Sequence, residues 1–123
     1  MITGLVLGVM FMASVGVVNA AYKTRDVLGG DYKLRAECTN TYAQSDVYAY
    51  NGNTYPIGSG IAYYTYNGST YTVSLPGSSY SSYWRGSKTL SNGARFYKTT
   101  TNFSKNGTTY DVSASRHVLG EIF

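Results

Sequence analysis

The sequence predicts an α+β fold: a long N-terminal helix, hydrophobic and then amphipathic, packed on an antiparallel β-sheet of hairpins. Three observations predict it. Residues 1–18 carry no charge and consist largely of Ile, Leu, Val, Met, Phe, Ala and Gly. Residues 22–42 contain no proline and place apolar side chains at helical offsets. Beyond Asp46 the period drops to two, and Asn-Gly recurs four times. The matching division is a membrane-spanning or assembly part over residues 1–20, an amphipathic continuation over 21–45, and a β-sheet head over 46–123.

Composition bounds the rest. A chain of 123 residues has room for one domain. Charged residues make up 13% of it, against roughly 25% in ordinary soluble domains. Tyrosine and glycine, 14 of each, fill much of the gap. Tyr and Thr suit a pleated, half-buried surface, and Gly and Asn suit tight turns, so the composition reads as sheet and hairpin. Disorder is the poorer reading, because it goes with few aromatics and high net charge.

The apolar run admits two readings. A secretory signal peptide has a basic start, an apolar stretch and a small-residue cleavage site. Val18-Asn19-Ala20 fits the site, but no basic residue precedes the run. The alternative is a retained membrane helix, for which about twenty apolar residues are needed. The abrupt opening inside an apolar pattern favours the retained helix, continued upstream. Small residues Gly4, Gly8, Ala13 and Gly16 would let such helices approach closely, with Leu5, Val6, Val9 and Phe11 completing an assembly face.

Residues 22–42 are expected to extend that helix. Val27, Leu34, Cys38 and Tyr42 fall at offsets 0, 7, 11 and 15, on one helical face. Gly29-Gly30 interrupts the pattern at a cost of about 1 kcal/mol per glycine, so a kink or break is expected there. Cys38 is the only cysteine, which excludes an intrachain disulfide and suggests a small buried hydrophobe.

The remainder reads as one meandering antiparallel sheet. Asn51-Gly52, Asn67-Gly68, Asn92-Gly93 and Asn106-Gly107 suit type I′ turns, in which both central residues need positive φ. Tyr50-Asn51-Gly52-Asn53-Thr54-Tyr55 matches Tyr66-Asn67-Gly68-Ser69-Thr70-Tyr71, and Asn106-Gly107-Thr108-Thr109-Tyr110 repeats the second half of that frame. Tyr71, Val73 and Leu75 alternate with Thr72 and Ser74 as in a half-buried strand. Pro56 marks an edge or the end of a strand, residues 76–82 a loop, and Trp84 a core or rim anchor.

Catalytic equipment is not expected. His117 is the only histidine, and no residue pattern orients it for nucleophilic catalysis. The carboxylates Asp26, Asp31, Glu37, Asp46, Asp111 and Glu121 form no close pair in sequence. No Cys or His spacing suggests a metal, and no cofactor frame is present. Sequons at Asn67, Asn102 and Asn106 arise easily in so much Asn, Ser and Thr. Arg85, Lys88, Arg95, Lys98 and Lys105 form a candidate basic contact surface for DNA or surface polysaccharide, with a solvated sheet face as the plainer reading. Tyrosines at strand spacing would pack a sheet on a helix or offer a stacking platform for sugars or bases.

Residues Met1-Ile2-Thr3-Gly4-Leu5-Val6-Leu7-Gly8-Val9-Met10-Phe11 resemble the middle of the N-terminal helix of type IV pilins and type II secretion pseudopilins. Tyr22-Lys23-Thr24-Arg25-Asp26 is similar to the amphipathic half of that helix. Asn92-Gly93-Ala94-Arg95-Phe96-Tyr97-Lys98 and residues 112–123 are similar to late strands of minor, J-like or W-like members. The family's basic leader, processing glycine and glutamate are absent. The resemblance implies a non-enzymatic structural subunit of a pilus, secretion or competence pseudopilus. Its partners would be other pilin or pseudopilin subunits and the inner membrane, with a head outside the cell membrane or in a surface filament. A second resemblance is short. Tyr80-Ser81-Ser82-Tyr83-Trp84-Arg85-Gly86-Ser87-Lys88-Thr89 is similar to a segment of lactococcin-972-type bacteriocins, whose tryptophan-glycine opening is missing here. It implies the alternative, a secreted all-β binding or antibacterial protein released behind Ala20.

Overall fold

Residues 21–45, expected as the second half of a helix, fold as strands. The computed structural model describes residues 20–116. The apolar run, with Gly4, Leu5, Val6, Gly8, Val9, Phe11, Ala13 and Gly16, lies outside the described residues, as does the segment 117–123 with His117 and Glu121. The described residues form nine strands: β1 (Ala21–Val27), β2 (Tyr32–Cys38), β3 (Tyr42–Ala49), β4 (Gly58–Tyr66), β5 (Ser69–Ser74), β6 (Gly77–Ser79), β7 (Tyr83–Thr89), β8 (Arg95–Lys105) and β9 (Thr108–Ser115).

The helical reading fails for a definite reason. A spacing of four satisfies one helical turn and also two steps of strand alternation, so Leu34 and Cys38 do not discriminate between them. Tyr32 and Ala36 do. With Leu34 and Cys38 they are buried, and Lys33, Arg35 and Glu37 alternate with them at intermediate exposure. Val27 and Tyr42 belong to the neighbouring strands. Gly29 and Gly30, expected to kink a helix, instead reverse the chain. Leu28, Gly29 and Gly30 all take positive φ, at 54°, 68° and 93°, in a single 3-10 turn between β1 and β2.

The fold is therefore all-β, not α+β, and the pilin-like arrangement is overturned. Among the described residues no helix is long and apolar enough to cross a membrane. The amphipathic rod that would join a membrane segment to a head is three antiparallel strands. A single-helix pilin or pseudopilin subunit held in the cell membrane or a filament loses its structural basis with that rod.

The strands form two antiparallel sheets, not one meander. The first sheet has the order β1-β2-β3-β7-β6 and the second β5-β4-β8-β9. The chain starts in the first sheet, crosses through residues 50–57 to build the β4–β5 hairpin, and returns through Leu75 and Pro76 to β6 and β7. It crosses again through residues 90–94 to β8 and β9. Residues 76–82, expected as loop, contain the short strand β6. The expected boundary at residues 45/46 falls inside β3.

The inner faces of the two sheets make the core. Leu34, Val47 and Phe96 are fully buried, each contributing about 1.5–3 kcal/mol by removal from water. Tyr32 and Phe103 meet across the sandwich with ring centroids 4.6 Å apart. The Thr101 hydroxyl donates to the Arg35 carbonyl at 2.8 Å and lies 2.6 Å from Ser45 Oγ, tying the sheets by a buried polar joint. Trp84 is buried as expected, in a slot walled by glycine. A Cβ at Gly77 would stand 2.5 Å from Trp84 Cζ2, one at Gly86 2.8 Å from Trp84 Cη2, and one at Gly58 2.9 Å from Trp84 Cε3. Only glycine leaves room for the indole at those three points.

Candidate functional site

Strand alternation points Tyr42, Gln44, Asp46 and Tyr48 of β3 away from the core, because Ala43, Ser45, Val47 and Ala49 face it. The register sets Asp46 opposite Arg35 on β2 and Arg85 on β7. Asp46 is nevertheless 0% exposed. It lies on the outer surface of the first sheet, covered by the side chains that bind it.

Three donors converge on that carboxylate. Arg85 Nε donates to Oδ1 at 2.5 Å, Gln44 Nε2 to Oδ2 at 2.8 Å, and Arg35 Nη1 to Oδ2 at 3.3 Å. The Tyr42 hydroxyl in turn donates to Gln44 Oε1. Arg35 also pairs with Glu37 at 2.8 Å. A buried carboxylate is costly unless its lone pairs are met, and these donors meet them. The electrostatics follow from the pairing. The hydrogen bond to Asp46 holds the Arg85 guanidinium above its ordinary range against the opposing effect of burial. Burial likewise pulls the Arg35 guanidinium down, and Glu37 and Asp46 more than offset it.

Tyrosines border the array. Arg85 lies over the Tyr83 ring at 5.0 Å, and its Nη2 is 3.4 Å from the Tyr48 hydroxyl. Tyr80 stacks on Tyr83 with centroids 4.9 Å apart and planes at 30°. Arg35 lies over Tyr22 at 5.3 Å. Beside Arg85 the surface dips into an open groove of about 480 Å³ between β6 and β7, lined by Ser78, Tyr80, Tyr83, Arg85 and Ser87 among others.

Comparison with protein-family models, with curated proteins and with solved structures finds no match.

The basic residues singled out in the sequence divide between the sheets and do not form one surface. Arg85 and Lys88 are on β7 of the first sheet; Arg95, Lys98 and Lys105 are on β8 of the second. Lys98 lies over Tyr63 at 5.1 Å and Lys105 over Tyr32 at 5.8 Å. Of the five, Arg85 alone enters the array. Sequence patterning does not mark Asp46, Arg35, Gln44, Tyr48, Tyr80 or Tyr83 as site residues. The alternation of Tyr42, Gln44, Asp46 and Tyr48 carries a signal, hidden by a helix reading that ends just before Asp46. Cys38 is buried, as expected. Desolvation pushes its thiol above the ordinary value, partly countered by the positive charge of Arg116. Among the described residues no three His, Cys, Asp or Glu side chains gather as a metal set.

Proposed function

We propose that this chain is an exported, non-enzymatic all-β binding protein, released when the apolar run is removed behind Ala20. One observation carries the reading: β1 opens at Ala21, the residue after Val18-Asn19-Ala20, and residues 21–45 belong to the sandwich. A signal peptide and an independent domain account for that junction, whereas a membrane rod required helical continuity through it. The low charge and the hydroxyl-rich surface suit an extracytoplasmic protein, and a lone buried thiol needs no disulfide partner there.

The test is N-terminal sequencing of the protein from a secreting bacterial host. The expected product begins at Ala21 and is found in the medium, and Ala20→Arg holds it back by spoiling the small-residue site. Recovery in the membrane fraction with residues 1–20 intact would refute release.

A second reading, an antibacterial protein, is favoured by one specific feature. The segment resembling lactococcin-972-type bacteriocins, residues 80–89, comprises the β6–β7 turn and β7, and it contributes Tyr80, Tyr83, Arg85 and Ser87 to the groove. Inhibition of an indicator lawn by the purified protein, lost in Arg85→Ala, is the expected outcome. An inactive protein at any dose removes this reading and leaves the first.

A further inference from the structure

We infer that the groove beside Arg85 is a carbohydrate subsite, taking a neutral pyranose unit of an oligosaccharide or polysaccharide. This rests on the reading of the chain as a binding protein and names what it binds. A pyranose has two kinds of surface: a patch of C–H bonds on one face of the ring and a rim of hydroxyls. The groove offers a counterpart to each. Tyr80 is 50% exposed and stacked on Tyr83, so the pair forms a shelf of aromatic surface at the groove wall. Aromatic faces carry partial negative charge and attract C–H bonds and cations laid on them. Around the shelf stand the hydroxyls of Ser78 and Ser87 and the guanidinium of Arg85.

Arg85 is the group the fold has prepared. A guanidinium has five N–H donors, and the contacts within the array use Nε on Asp46 and Nη2 toward the Tyr48 hydroxyl. Three constraints fix its plane: the carboxylate, the tyrosine ring beneath it, and the phenol. A donor already held in place loses little freedom when a ligand hydroxyl arrives, which is the advantage of preorganisation. The groove volume of about 480 Å³ lies within the size range of small-molecule sites.

The charge balance selects a neutral ligand. Arg35 and Arg85 are matched by Asp46 and Glu37 on the same face. A polyanion such as nucleic acid gains affinity by replacing counterions with unpaired Lys and Arg, and here both arginines are already paired. Donors and acceptors without net charge suit a polyhydroxylated ring better than a chain of phosphates.

The experiment titrates the purified full chain with neutral oligosaccharides of glucose, N-acetylglucosamine and mannose, with heparin and single-stranded DNA as polyanions. Trp84, the only tryptophan, packs against Gly77 and Gly86 behind the groove and serves as a fluorescence reporter alongside calorimetry. The expected result is binding to at least one neutral sugar, with affinity unchanged within about twofold between about 50 mM and about 200 mM salt. Tyr80→Ala weakens that binding at least about tenfold. Tyr83→Phe, which keeps the ring, retains it, and Tyr66→Ala on the second sheet has no effect. The inference is overturned if no neutral sugar binds. It is equally overturned if only heparin or DNA binds with steep salt dependence, or if Tyr80→Ala leaves sugar affinity intact. Release is scored separately by the N-terminus in the medium. A secreted protein blind to sugars sinks the ligand alone, and a sugar-binding protein retained by its apolar run sinks release alone.

Discussion

The two outer faces of the sandwich are built from the same few residue types and behave differently. On the first sheet, one buried carboxylate organises Arg35, Arg85 and Gln44, and tyrosines lean on the arginines. On the second, hydroxyls pair across strands: Thr100 with Ser113 and Ser104 with Thr109, each at 2.7 Å. The first face is held by contacts that exclude water from Asp46; the hydroxyl pairs of the second are contacts that water can replace. Neutral hydroxyl pairs at a surface contribute little net stability, because each partner bonds equally well to solvent. A shielded carboxylate differs, since its removal strands the charges around it. Position in the register thus matters more to the two faces than composition.

That contrast can be broken by substitution and urea unfolding. The largest effect belongs to Asp46→Ala, expected to cost about 3 kcal/mol. The low end of the range applies because Arg35 and Arg85 are partly exposed and can turn toward water. A cost below about 0.5 kcal/mol would mean that Asp46 organises nothing. Next comes Gly86→Ala, whose methyl would stand 2.8 Å from Trp84 Cη2 and 3.0 Å from the Leu75 carbonyl. Overpacking of this kind costs about 1–3 kcal/mol, and an unchanged midpoint would show that the indole slot yields. Thr101→Val removes the joint between the sheets and should cost about 1–2 kcal/mol by leaving the Arg35 carbonyl and Ser45 short of a partner. Thr100→Ala on the second outer face is the smallest, within about 0.5 kcal/mol of wild type. If it matched Asp46→Ala, the distinction between the faces would fall.

The legibility of this fold is uneven, and the reason is local against tertiary information. Asn67-Gly68 and Asn106-Gly107 make the expected hairpins, with φ of 50° and 77° and of 54° and 79°. Asn51-Gly52 and Asn92-Gly93 also adopt positive φ, at 58° and 84° and at 59° and 85°, but lie in crossovers between the sheets. Both kinds of turn satisfy the local preference, and the residues beyond the turn decide between hairpin and crossover. After Asn67-Gly68 the chain continues as Ser69–Ser74. After Asn51-Gly52, Tyr55 turns to φ 48° and Pro56 comes next, and the following strand, β4, belongs to the other sheet instead of folding back on β3. The first half misleads for a different cause. Val27, Leu34, Cys38 and Tyr42 satisfy a helical count because two of them sit in one strand and the others in its neighbours. The candidate site shares that misfortune. Arg35 and Asp46 come together only through the β2–β3 pairing, and Arg85 joins them only because β7 returns beside β3 after a full excursion through the second sheet.

The direction in which the chain enters and leaves also has a practical consequence. β1 begins beside the end of β2, and Arg116, after β9, bonds through its amide to the Tyr97 carbonyl. Residues 39–41 and 90–94 lie at that same end, whereas Tyr80 and Tyr83 lie toward the other, where Ala49 bonds to Ser82 and Tyr55 to Ser81. A protein immobilised on a sensor chip through a tag at Ala21 would therefore present its tyrosine shelf to the flowing solution, with the anchor at the opposite pole.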